Sequence, residues 1–116
     1  MEDKLIEILE SVGYPVYLQG TLAESDYPDS FFTYWEDNSN GNFYSNKEIS
    51  TIYEYSVNFY STDQQKVYTA VKEAMKKLRQ NKFALSGDGY SVPSGVDSHD
   101  GRGFDVMIIK NERNDT

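Results

Sequence analysis

The 116 residues hold 19 Asp and Glu against 11 Lys and Arg, a net charge of −8, with 38% apolar and 15% aromatic residues. That length suits one domain around one core and is too short for two, and the negative charge argues against a nucleic-acid binder, which neutralises phosphates with Lys and Arg. Cysteine is absent, which excludes a disulfide framework and any thiolate metal ligand or nucleophile.

From the N-terminus, Leu5, Ile6, Ile8, Leu9 and Val12 share one side of a helical wheel, so Met1 to Val12 is predicted as an amphipathic helix that Gly13 stops. Its acidic start does not match a signal peptide, and no later run is long enough for a membrane span, so a cytosolic protein is expected. Pro15 to Gln19 reads as a short strand, Gly20 to Ser30 as a loop, and the aromatic run Ser30 to Glu36 as a second strand. Asn38 to Asn46, with four Asn and one Gly, reads as a turn or mobile loop.

The clearest strand is Glu48 to Ser61, where Tyr53, Tyr55, Val57 and Phe59 alternate with Glu54, Ser56 and Asn58. Thr62 and Gln65 have capping-box spacing with Asp63 between them, and the helix they open runs to about Gln80 over Val67, Ala70, Val71, Ala74, Met75 and Leu78. Phe83 to Ser86 is a brief strand and Gly87 to Gly103 a long polar segment. Phe104 to Lys110 is a last strand covered on both faces, and 111–116 a flexible tail to the single domain 1–110. The expected class is α+β, in the order α-β-β-β-α-β-β: a curved antiparallel sheet with two helices on one face. Its core should join Leu5, Leu9, Val57, Phe59, Val71, Leu78, Val106 and Ile108.

Little in the chain points to catalysis. The only histidine, His99, stands in the run Asp97, Ser98, His99, Asp100 without the spacing of a metal site. Asp88, Asp97, Asp100 and Asp105 lack the periodicity of a calcium loop, and a triad of Ser98, His99 and Asp105 lacks a nucleophile elbow. The expectation is a protein without enzymatic activity, metal or cofactor. Charge is the stronger signal: Lys66, Lys72, Lys76, Lys77, Arg79 and Lys82 face only Glu73, leaving that stretch at +5 and the remainder at −13. Lys72, Lys76 and Arg79 are therefore candidates to meet Glu24, Asp26, Asp29, Glu36 and Asp37 of a neighbouring copy.

The second half has a Tyr-rich strand ending Val57, Asn58, Phe59, Tyr60, Ser61, Thr62, Asp63, and then a capped helix. Leu78, Phe83, a Gly-rich turn and a Gly101, Arg102, Gly103 step into a last strand complete it. Read as one unit, it resembles the small tail-terminator or tail-completion (minor tail) proteins of long-tailed bacteriophages and prophages of Gram-positive bacteria. The likeness spans Leu5 to Lys110 and implies helices against a curved antiparallel sheet. It further implies a structural subunit of a hexameric ring that caps the tail tube and meets the head connector, assembled in the host bacterial cytoplasm and carried in the virion tail. Its partners would be further copies of itself, the tail tube protein and the head connector protein. The segments 38–46 and 92–103 resemble the family's long loops that reach neighbouring subunits or the tube, which adds Asn40, Asn42, Val96, His99 and Arg102 to the interface candidates. Two alternatives stand beside this reading: a head-to-tail connector component, and a small ligand- or metal-binding domain built on the His99 loop.

Overall fold

The apolar spacing of the first stretch drives helix α1 (Glu2–Glu10), which buries Leu5, Ile8 and Leu9 in a computed structural model of the chain. That structure describes residues 2–45, 48–85 and 87–111, and for 38–45, 48–51 and 110–111 the backbone alone. Gly13 turns the chain out of α1 at φ 116°, a region that residues with a Cβ rarely adopt. Strands β1 (Val16–Leu18), β2 (Ser30–Ser45) and β3 (Glu48–Ser61) follow, with a 3-10 turn at Glu24–Asp26. Helix α2 (Gln64–Gln80) and strands β4 (Ala84–Leu85), β5 (Tyr90–Val92) and β6 (Asp100–Asn111) complete the described residues. The α+β class and the element order agree with the sequence reading, and β5 is an added short strand within the 87–103 segment.

The sheet runs β1-β2-β3-β6-β4, with β5 also paired to β6. Strands β2, β3 and β6 form the expected antiparallel centre, whereas β1 joins β2 in parallel, Val16 beside Phe32, so the sheet is mixed. A parallel neighbour needs a return path, and the 19–29 connection with its 3-10 turn provides one.

Alternation and register place Phe32, Tyr34, Tyr55, Val57, Phe59, Phe104, Val106 and Ile108 on one face of the sheet. Both helices cover that face, α2 through Val67, Ala70, Val71, Ala74, Met75 and Leu78. All eight residues expected in the core are buried.

Five local expectations are corrected. The N-cap of α2 is Asp63, whose carboxylate accepts from the Gln65 amide at 3.0 Å, so Thr62 stands outside the helix. Residues 38–45 are not a loop but the outer part of β2, paired with β3 as far as Ser45 beside Glu48. The Asn and Gly content there appears as register shifts between Glu36 and Asn38 and between Asn40 and Phe43, where bulges absorb residues that would otherwise make a turn. Strand β6 begins at Asp100 rather than Phe104, and its second face is open, with Ile109 60% exposed. It also runs to Asn111, so of the expected tail only 112–116 is left, outside the described residues.

Candidate functional site

Two surfaces on opposite sides of the sheet stand out, one holding Lys72, Lys76, Arg79 and Arg102 and the other Asp37. The first belongs to α2. Its buried stripe faces the sheet, so Lys72, Lys76 and Arg79 are exposed on its outer side. Among the described residues the one ion pair is Lys77 with Glu73, 3.9 Å apart within the helix, and it leaves those three cations without a carboxylate partner.

Beside them, Tyr68, Val71, Lys72, Met75, Arg79, Asp88 and Arg102 line a groove of about 400 Å³ between α2 and the β5–β6 edge. Arg102 is held rather than free. Its guanidinium lies 5.1 Å from the centre of the half-exposed Tyr68 ring and donates to the carbonyls of Asp88 (3.1 Å) and Gly89 (3.3 Å). The cations of this surface therefore combine one fixed guanidinium with three long side chains at liberty to reach a partner.

The second surface is the sheet face that the helices leave open. Alternation turns Glu54, Ser56 and Asn58 of β3, and Asp105, Met107 and Ile109 of β6, to this side. The Ser56 hydroxyl lies 2.6 Å from an Asp37 carboxylate oxygen and 3.1 Å from one of Asp105. A hydroxyl has one proton, so it can donate to only one of the two carboxylates at a time. The Tyr90 phenol donates to Asp105 at 2.9 Å, and desolvation together with that carboxylate pushes its pKa up to about 12. Asp37, Glu54 and Asp105 rim a depression of about 370 Å³ whose walls include Leu85 and Met107.

The remaining predicted residues are dispersed. Glu24 and Asp26 are exposed in the 3-10 turn, and Asp29 is exposed beside the start of β2. Glu36 is exposed but in register with Tyr55, on the helix-covered side rather than beside Asp37. Asn40 and Asn42 lie in the outer part of β2, and their side chains fall outside the description. The Val96 carbonyl accepts from the Ser94 hydroxyl at 2.5 Å, tightening the loop that carries His99.

His99 is packed on its loop rather than free in solvent. Its ring meets Tyr27 and Phe31 at centroid distances of 5.5 and 6.0 Å, and Phe31 in turn meets Tyr60 at 5.4 Å, in an aromatic cluster at one end of the open face. A carbonyl can only accept, so Nε2 donates to the Pro28 carbonyl at 2.8 Å, and the Ser98 hydroxyl at 2.9 Å serves the other nitrogen. Both ring nitrogens are thus occupied, and Asp105 sits with Ser56 and Tyr90 instead of with the histidine. Among the described residues no three His, Asp or Glu side chains converge as a metal ion would require, and no helix is long and apolar enough to cross a membrane.

Sequence reasoning missed Glu54, Ser56, Tyr68 and Tyr90 as members of these surfaces. Glu54 and Ser56 are legible as the outward half of the alternation around Tyr55. Tyr68 precedes Lys72 by one helical turn, a spacing that by itself makes the two side chains neighbours. Compared with models of known protein families and with curated proteins, the chain matches none.

Proposed function

We propose that this chain is a structural subunit of a long-tailed phage or prophage, assembling with copies of itself into a ring that caps the tail tube and joins it to the head connector. The observation that carries this reading is the β2–β3 hairpin. Its pairing extends from Ser30 beside Ser61 to Ser45 beside Glu48, while β1 pairs with β2 only at Phe32 to Tyr34. Beyond Tyr34 the outer edge of β2 has no strand partner among the described residues, and the molecule is elongated, 52 by 25 by 23 Å. An extended edge of backbone donors and acceptors is a template for pairing with another chain. A subunit with such an arm suits a protein whose work is joining others.

Further support comes from the opposed charged surfaces and from the resemblance of residues 5–110 to tail-terminator proteins. In this reading the chain assembles in the bacterial cytoplasm, resides in the virion tail, and has no catalytic residue or cofactor. The test is to add the purified chain to tail tubes that lack a cap and to examine them by negative-stain electron microscopy. Ring-shaped density at one tube end is the expected result. Binding to isolated connectors but not to tubes would instead favour the connector role, and binding to neither would overturn the proposal.

A further inference from the structure

The two charged surfaces lie back to back. Lys72, Lys76 and Arg79 point away from the sheet on its helical side, while Asp37, Glu54 and Asp105 point away from it on the other. The sheet itself stands between them, so within one chain they cannot meet. In two chains stacked in the same sense they can.

The geometry points to a head-to-tail contact in which the outer cations of α2 in one copy enter the acidic depression on the open sheet face of the next. This rests on the self-assembly part of the proposed function and assigns its faces. The chemistry of the depression fits the occupant: Ala84 and Met107, paired side by side on the open face, can cover the methylene stem of a lysine or arginine, and the carboxylates at the rim receive the charged tip. The Ser56 hydroxyl can donate to only one of Asp37 and Asp105 at a time, and among the described residues neither carboxylate has a Lys or Arg within ion-pair distance, so an incoming cation meets carboxylates without a cationic partner there. Among the described residues Lys72, Lys76 and Arg79 likewise have no carboxylate within ion-pair distance, since the ion pair there joins Lys77 and Glu73.

The contact joins unlike surfaces of identical chains, so it repeats at every subunit, giving a ring if the rotation closes and a filament if it does not. It also replaces part of the sequence-based expectation. Glu36 faces the helical side and Glu24, Asp26 and Asp29 lie by the 3-10 turn, so Asp37 is the one residue of that acidic set at the depression.

A charge swap tests the pairing on the full chain. One variant carries Lys72→Glu and Lys76→Glu, the other Asp37→Lys and Glu54→Lys, and each is followed by sedimentation at low salt alone and in equimolar mixture. Wild type should self-associate, and each variant alone should bind itself about tenfold or more weakly, because like charges then face each other at every junction. The mixture should recover wild-type association, since both of its junctions again join opposite charges, and that recovery also demonstrates that the variants are folded. Wild-type affinity in each variant alone would overturn the assignment and leave the assembly reading standing. Weakening without recovery in the mixture would overturn the pairing of these two faces. A wild-type chain that stays monomeric at all concentrations, and on tail tubes, would overturn both.

Discussion

His99 and the glycines near it have roles that depend on what lies across the sheet from them. The histidine closes an aromatic cluster with Tyr27, Phe31 and Tyr60, and its Nε2 hydrogen bond ties the 94–99 loop to Pro28. Gly101 lets the Tyr60 ring lie against the β6 backbone: a Cβ there would stand 2.8 Å from that ring and 2.8 Å from the Val92 carbonyl oxygen. Gly103 does the same for the Asn58 side chain and the Tyr90 ring. Neither glycine is in the left-handed region, so close approach and not backbone freedom is what selects them. Gly101→Ala should therefore destabilise the chain by about 1–3 kcal/mol through overpacking, read as a lower urea midpoint at unchanged slope. Wild-type stability in that variant would mean that Tyr60 can move aside at no cost.

At the scale of the element, α2 does two things with one amphipathic sequence. Its inner stripe seals the sheet, with Leu78 and Ala74 fully buried, while its outer side holds the cations. Asp63 starts it by accepting from Gln65, and Asn81 ends it by donating its side-chain amide to the Lys77 carbonyl at 2.8 Å. The two sides should separate under mutation. Leu78→Ala leaves a cavity in a packed core and should cost about 2–5 kcal/mol, whereas Lys76→Ala, an exposed side chain with no ion pair among the described residues, should stay within about 0.5 kcal/mol of wild type. Chemical denaturation of both variants checks this, and a large loss at Lys76 would mean that the cation stabilises the monomer and not a contact between copies.

Over the whole molecule, tyrosines on both sides of the sheet link stability to alkaline pH. Burial, then the Glu2 carboxylate that accepts from its phenol at 2.6 Å, raises Tyr34 to about 12. Burial, then the nearby charge of Glu36, does the same for Tyr55, and Tyr90 is likewise raised to about 12 by burial and then by Asp105. Each folded value lies above the unfolded value of about 10, so the stability these groups contribute is complete below about pH 10 and is lost as pH rises through about 12. Urea unfolding free energy should fall across that window, and tyrosinate absorbance should show a late-ionising class. If all the tyrosines ionised together near pH 10 with no change in stability, the buried phenols would be wrongly placed.

Periodicity is enough to read the helices, the inward half of β3 and the core, because a buried stripe or alternating face is written in consecutive residues that must all satisfy one geometry. The charge of α2 is legible for the same reason, since an exposed helical side is set by spacing along one segment. What consecutive residues do not encode is which segment lies across from which. The Asn-rich 38–45 stretch is strand because β3 pairs with it, and 100–103 is strand because glycine lets Tyr60, Asn58 and Tyr90 lie across it. The acidic depression joins Asp37, Glu54 and Asp105 from three strands, so only the register of the sheet, a product of non-local pairing, could bring those carboxylates to one side and set them opposite the cations of α2.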